Sequence, residues 1–340
     1  MKNLILTELR KKSEALGFHN LGIIEVPLKL RRDYYNEWIR NGHQGTMDWM
    51  ERNNDRRLNP ERLLPEAKTI LVFAMNYYQP DPKRGYRVAK YALGKDYHPL
   101  IYKRLKKLCR FLKENCGSDQ RPYVDTGPIL EKPVAEAAGL GWQGKSTILV
   151  EKHRGTWSFL GTIVTTEAFV SLEKGKDHCG TCTQCIDSCP TKAITAPYQL
   201  DASKCIAYLT IEHKGSIPHQ YRQAIGNRIF GCDTCLDVCP WNKWAEITRE
   251  GHFQALDLPN LSDILDWDEK TFNKYLSGSP MKRLKLNRLK RNAALVLGNI
   301  GKLDDLPMLK RVEASKDPIL KEQAQWSINA IKSREKSSFS

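Results

Sequence analysis

The placing of the cysteines constrains this chain more than any other feature. Eight of its ten cysteines lie between Cys179 and Cys239. The first group reads Cys179-x2-Cys182-x2-Cys185-x3-Cys189-Pro190. Three thiolates this close on a short loop can each take one iron of a single 4Fe-4S cube, while the fourth, ahead of the proline, points away to a second cluster. The second group, Cys205 and then Cys232-x2-Cys235-x3-Cys239-Pro240, is the same run with its first member moved upstream. Crossed ligation uses all eight. Cys179, Cys182, Cys185 and Cys239 would hold one cluster, and Cys189, Cys205, Cys232 and Cys235 the other. Paired CxxC units also bind zinc, but zinc sites do not predict two CxxxCP endings. Cys109 and Cys116 fall in a basic helical stretch, KRLKKLCRFLKENCG, and read as ordinary thiols.

Thiol ligation of metal suits a reducing compartment. The N-terminus, MKNLILTELRKK, has only a short apolar stretch, broken by Thr7 and Glu8, which does not make a signal peptide. No run of about 18 apolar residues is present to span a membrane. The expectation is a cytoplasmic, monomeric protein with no membrane partner. Lys and Arg number 54 against 39 Asp and Glu, a formal charge of +15. That favours a polyanionic partner, nucleic acid before an anionic membrane surface. With 340 residues, 41% of them hydrophobic, the chain can build two or three domains with real cores.

The patterning changes twice along the chain. Within 1–175, Leu4, Leu6, Leu9 and Leu16 repeat at helical spacing. Leu21 to Val26 reads as a strand, and Ile70 to Met75 as a strand buried on both faces. Pro99 to Cys116 reads as a basic amphipathic helix. Tyr123-Val124 is a short strand entering the turn Asp125-Thr126-Gly127-Pro128. Pro133 to Gly139 reads as a helix, and Ile148–Val150 with Trp157–Thr166 as strands paired around Arg154-Gly155. The cysteine-rich segment occupies 176–245. From 246 to 340 the pattern is helical, with helices at Asp268–Leu276, Leu289–Ile300, Leu306–Val312 and Ile319–Ile331. A 31-residue echo sets Ala293, Leu297 and Ile300 against Ala324, Ile328 and Ile331, as in paired helices of HEAT type. The fold class expected is α+β, with an N-terminal α/β domain, a ferredoxin-like double-cluster domain and a HEAT-like helical domain.

The stretch from Met281 to Arg291 holds Lys282, Arg283, Lys285, Arg288, Lys290 and Arg291 and no acid. Such a run can be a solvated helix face. In a chain of this charge it is also a candidate for the phosphate backbone of a nucleic acid.

Gly139 to Ser146, GLGWQGKS, matches the phosphate-binding pattern GxxxxGK[ST]. That pattern needs a buried strand before the loop and a helix after it, so that helix N-terminal amides meet the phosphates. Here a helix-like PVAEAAG precedes and a strand-like Thr147 to Val150 follows, so nucleotide binding is rejected. The glycines instead allow a flat ligand or a backbone to come close.

The segments VDTGPILEKPVAEAAGLGWQGKST, CGTCTQCIDSCPTKAI, GNRIFGCDTCLDVCPWNK, RRLNPERLLPEAKTILVFAMNYY, GKDYH and LKRNAALVLGNIG together resemble the epoxyqueuosine reductase family over nearly the whole chain. The resemblance implies a cobalamin-binding N-terminal domain, a double-cluster domain and a C-terminal repeat that holds tRNA. It implies reduction of the wobble-position epoxide of epoxyqueuosine in tRNA to the alkene of queuosine, with a core related to reductive dehalogenases. By position it makes Asp125 the proton donor, with burial near the corrin raising its pKa. Arg57, Ala89, Leu149, Leu160 and Ile163 resemble corrin-contacting positions, and Asp233 and Thr234 could approach the same cofactor. Ser146 departs from the Asn often found in this loop. No cobalt-coordinating histidine is marked, and His98 reads as structural.

The mechanism this implies feeds single electrons from an external donor through the clusters to cobalamin. The epoxide opens, Asp125 supplies a proton, and water leaves. Two other classes compete. A corrinoid reductase of a small molecule would share the cofactors without tRNA. An electron carrier fused to an RNA-binding scaffold would have clusters without cobalamin. The basic tail counts against the first, and the size of the N-terminal domain against the second.

Overall fold

The computed structural model describes residues 2–28, 30 and 32–337. The apolar run expected as a doubly buried strand forms Thr69–Asn76, with seven of its eight residues buried. Three further strands complete a sheet around it. In chain order these are β1 (Asn20–Glu25), β2 (Thr69–Asn76), β3 (Gln120–Tyr123) and β4 (Ser158–Thr165). The spatial order is β1-β2-β4-β3. β1 pairs antiparallel with β2, β2 with β4 from Thr69↔Thr165 to Asn76↔Ser158, and β3 with β4. The N-terminal unit is therefore α+β, and the narrower α/β expectation of parallel neighbours does not hold. The helix between β2 and β3 does make a crossover, but β4 is inserted between those two strands.

Two layers of helix cover the sheet. On one face lie α1 (Lys2–Ala15) and α2 (Tyr97–Cys116). Leu9, Ile101, Leu105, Leu108 and Leu112 pack there on Leu71, Phe73 and Ile163. On the other face, α3 (Glu131–Ala137) and its flanks bring Val134, Ala135 and Ala138 against Ile70, Val72, Leu160 and Val164. Asp96 caps α2, accepting the His98 backbone N–H at 3.0 Å, and Gly117 ends it at φ +67°.

Trp157–Thr166 does not pair with Leu149–Val150 as expected. Leu149–Val150 pairs with Trp142–Gln143, and a single Glu151/Gly155 bridge spans the turn. Both edges of β4 are already taken by β2 and β3, so no edge is left for a local partner.

The cysteine segment carries two short matching helices, Gln184–Asp187 and Thr234–Asp237. It is tied to the N-terminal unit by a parallel pair, Arg87–Val88 with Arg228–Phe230. Gly231, at φ +70°, lies so close to Ala89 that an added Cβ would stand 2.5 Å from the Ala89 methyl.

The C-terminal helices are α4 (Leu261–Asp266), α5 (Glu269–Leu276), α6 (Leu286–Ile300), α7 (Leu306–Glu313) and α8 (Pro318–Ser337). Their core contains Ala293 and Leu297 of α6 with Ala324, Ile328 and Ile331 of α8, and it also takes in Val88, Ile229 and Phe230. Ile300, the remaining member of the sequence echo, is 41% exposed at the last turn of α6. Two buried polar residues of α6 fasten the helix to the cysteine segment. Asn292 donates to Thr210 O and Ile229 O at 2.7 and 2.9 Å, and Arg291 to Leu209 O, His213 O and Gly215 O at 2.6–3.0 Å. Among the described residues no helix is long and apolar enough to cross a membrane.

Candidate functional site

Cys239 ends the second cysteine run, yet it lines one pocket with Cys179, Cys182 and Cys185 of the first, and Cys235 reaches the same pocket. Burial pushes the Cys239 thiol up to about 11, and the charges of those three cysteines of the first run add to the rise. Cys205 is likewise raised to about 11 by burial, with Cys232 and Cys189 adding to it. Cys235 is raised by burial and then by Cys205, Cys232 and Cys189. The charge interactions thus run from Cys239 to Cys179, Cys182 and Cys185, and among Cys189, Cys205, Cys232 and Cys235, the pattern that crossed ligation would need. Thiols crowded this way resist ionising alone, and cationic iron is what makes four neighbouring thiolates favourable. The residues present fit two clusters.

The GLGWQGKS segment serves the first group. Trp142 Nε1 donates to Cys179 Sγ at 3.4 Å, and the Lys145 ammonium donates to Gly180 O and Cys182 O at 2.6 and 3.0 Å. A Cβ on Gly141 would lie 2.1 Å from Val150 O, so here the glycine admits a neighbouring backbone. The lysine that a phosphate loop would aim at a nucleotide is spent on the carbonyls of the first cysteine loop.

Asp125 follows β3 in a left-handed conformation, φ +52°, which costs a non-glycine residue of order 1 kcal/mol or more. Its backbone N–H donates to Glu131 Oε1 at 2.8 Å. Its carboxylate Oδ2 lies 3.0 Å from His98 Nε2, and His98 Nδ1 lies 2.7 Å from Asp96 Oδ1. Burial raises the Asp125 carboxyl, but the His98 hydrogen bond and charge, with Tyr97 and Arg283, outweigh it and leave the group below the usual carboxylate range. The expectation that burial would prevail and raise this pKa is therefore corrected. His98 is pushed up to about 9, because its bonds to Asp125 and Asp96 outweigh the cost of burial. Glu131 is pushed up to about 8 by burial and by the charge of Asp125. Burial lowers Lys132, against the opposing charges of Asp125, Cys235, Glu131 and Cys205. Lys132 and Asp125 are both exposed, and the Lys132 ammonium lies within reach of the charges of Asp125, Cys235 and Cys205.

The residues expected at a corrin divide. Arg57 is buried against Trp49, and its Nε has no partner among the described residues, which fits a missing polar group. Leu149 and Leu160 share one core on the α3 side. Ile163 is fully buried on the opposite face, packed with α1 and α2. Its side chain and that of Leu160 cannot pack on one flat ligand, because an odd spacing along a strand reverses the side chain. Ala89 is buried with its methyl over Gly231, so its side chain is not available to a ligand. Asp233 accepts the Lys90 backbone N–H at 2.7 Å, and burial raises it to about 6. Thr234 accepts from Arg228 at 2.9 Å and lies 3.3 Å from Cys232 Sγ.

The basic run divides too. Arg291 is 1% exposed, its guanidinium committed to three backbone carbonyls, and it is withdrawn as a phosphate contact. Arg288 is held by Leu284 O, Ile211 O and Arg283 O. Lys290 is half-buried, and burial lowers it. Lys282, Arg283 and Lys285 are exposed. Arg283 pairs with Glu212 at 2.7 Å, and its charge reaches Asp125 and Tyr91. A basic side chain of the run therefore lies within electrostatic reach of Asp125. Sequence reasoning missed Glu131, Lys132 and the role of Lys145, and it set His98 aside.

Residues 178–242 match the model of the 4Fe-4S double cluster binding domain. Residues 57–126 match the one described as epoxyqueuosine reductase QueG, DUF1730. The epoxyqueuosine reductase of Xanthomonas campestris is 41% identical over 335 residues, covering 94% of each chain. That of Escherichia coli K12 is 38% identical over 341 residues, covering 96% of this chain and 89% of that one. An epoxyqueuosine reductase solved with a tRNA-Tyr epoxyqueuosine-modified stem loop superposes with a TM-score of 0.89 at 28% identity, covering 97% of this chain and 90% of that one. A second, from Bacillus subtilis, was solved with an aspartate-bearing catalytic loop swung out of the active site. It superposes with a TM-score of 0.87 at 29% identity, covering 97% and 91%.

Proposed function

This chain belongs to the epoxyqueuosine reductase family, and on that premise we propose that it reduces epoxyqueuosine to queuosine at the wobble position of tRNA, with two 4Fe-4S clusters and cobalamin. The observation that carries the reading is the convergence of charges: Lys132 lies within reach of Asp125, Cys235 and Cys205, and Arg283 within reach of Asp125. An acid, a route for electrons and a cation for a phosphate meet there.

Cobalamin, when bound, supplies a strongly reducing cobalt centre for the epoxide carbons. Arg57 would hold one of its polar side groups, and Leu149 and Leu160 would pack on the ring. Asp233 and Thr234 would lie between it and the Cys189, Cys205, Cys232 and Cys235 cluster. The other cluster, on Cys179, Cys182, Cys185 and Cys239, would receive single electrons from an external donor. Asp125 is held in place by Glu131 and His98, from where it can hand a proton to the epoxide oxygen. Opening the epoxide and losing its oxygen as water takes two electrons and two protons. Lys282, Arg283 and Lys285 would grip the phosphates that bring the wobble nucleotide to Asp125. The helices from α4 to α8, taken as a HEAT-like unit, would carry the rest of the tRNA.

The test is an anaerobic cobalamin titration of the cluster-reconstituted protein, read by electron paramagnetic resonance, followed by turnover of an epoxyqueuosine-containing stem loop. Stoichiometric binding with a base-off cobalt(II) signal and alkene product is expected. Absence of cobalamin binding with both clusters present would overturn the reading.

A further inference from the structure

Two protons must reach one oxygen in each turnover, and a single carboxyl holds one. Asp125 must therefore be reloaded while the substrate is still bound. The structure places a second group beside it. His98 Nε2 is 3.0 Å from Asp125 Oδ2, and its other ring nitrogen is 2.7 Å from Asp96 Oδ1. Each ring nitrogen meets a carboxylate oxygen, an acceptor only, so both nitrogens donate and the ring is an imidazolium. The ring is held in place. Asp96 is fixed as the cap of α2, its carbonyl accepts from His252 at 2.9 Å, and Tyr97 stacks on the imidazole at 4.1 Å. One edge of His98 remains open, with 26% of the side chain exposed, so it can be refilled from solvent.

We propose that His98, oriented by Asp96, supplies the protons of the reaction and passes each to Asp125 within the turnover. This rests on the reading of Asp125 as the donor to the epoxide. In the first step the imidazolium gives its Nε2 proton to the Asp125 carboxylate, which passes it to the epoxide oxygen as the carbon–oxygen bond takes up electrons. The ring, now neutral, takes a second proton from solvent at its open edge and hands it to Asp125 by the same route. Asp125 then protonates the departing hydroxyl, which leaves as water while the alkene forms. The external one-electron donor supplies both electrons, and solvent restores the imidazolium. His98 acts through Asp125 and is a positioning and supply residue. Its elevated pKa, about 9, means the store is full at neutral pH.

The charged groups facing the pair are Asp96, Glu131, Lys132, Arg283 and His252. The first experiment measures single-turnover rates of chemically reduced holoenzyme on an epoxyqueuosine stem loop, across pH about 6 to 10. Wild type should lose rate as pH rises past about 9, where the imidazolium deprotonates. His98→Gln keeps a hydrogen bond but carries no store. It should lose about a hundredfold in rate and lose the alkaline limb, with stem-loop affinity and cobalt and cluster spectra unchanged. Asp96→Asn still caps α2 but no longer stabilises the cation, so the limb should move to lower pH. A His98→Gln enzyme with wild-type rate and limb, alongside an inactive Asp125→Asn, would overturn the role of His98 alone. An active Asp125→Asn would overturn both this role and the reading beneath it.

Discussion

Cys239 and Cys179 stand in one pocket although they belong to different cysteine runs. Paired substitutions make this testable. Cys179→Ser with Cys239→Ser strikes one cluster twice and should leave about four irons. Cys179→Ser with Cys189→Ser strikes both clusters and should leave almost none. Iron and sulfide analysis with resonance spectra reads the difference, and near-complete iron loss in the first pair would refute crossed ligation.

Asp125 is the acid in the proposed reaction. Asp125→Ala should reduce turnover by about 10²–10⁴-fold while stem-loop binding and cofactor loading persist. Product analysis at saturating stem loop is the measurement, and full turnover with intact cofactors would remove the role.

Arg283 and Arg291 sit in the same basic run and should behave oppositely. Arg283→Ala should leave Tm nearly unchanged, weaken stem-loop binding, and reduce the slope of log K against log salt by about 1. Arg291→Ala leaves three carbonyls without their buried donor. It should lose about 3 kcal/mol or more of stability with no change of salt slope in the folded fraction. Thermal unfolding and binding titrations separate the two.

Glu151 is buried at the rim of the sheet, accepting from His19 at 3.0 Å and Asn20 at 3.1 Å and from Ser158. Burial raises its carboxyl, but these partners outweigh it and hold it below the ordinary value of 4.5. A carboxylate depressed in the fold contributes stability above its unfolded pKa and loses it as pH falls through the folded one. Glu151→Gln should be destabilised by about 3 kcal/mol at neutral pH. The gap to wild type should narrow as pH drops below 4.5. A gap independent of pH in denaturant melts would show that the charge plays no part.

How far the chain could be read from its residues depended on where each residue's partners lie. The cluster cysteines were legible because thiolate spacing on a short loop is itself the geometry. Thr69–Asn76 was legible because a doubly buried strand is apolar throughout. The face of β4 was misread at Ile163, although an odd spacing from Leu160 already separates the two. His98 looked structural because one partner, Asp96, is local and visible, while Asp125 arrives from beyond α2. Arg291 looked like its exposed neighbours because composition carries no helical phase. Its carbonyl partners, from Leu209 to Gly215, come from another segment.

The grip of α6 on the cysteine segment has a thermodynamic consequence. Asn292 holds the carbonyl of Ile229, shortly before Cys232, and Thr210 in the helix that begins just after Cys205. Both segments that carry Cys205 and Cys232 are thus buttressed by α6, whose N-terminal approach carries Arg283 and Lys285. Metal occupancy and docking of that helix are linked equilibria: whatever stabilises one stabilises the other. Chelating the iron should release the C-terminal helices in the same cooperative transition. The surface proposed for RNA would then be complete only in a molecule already loaded for electron transfer.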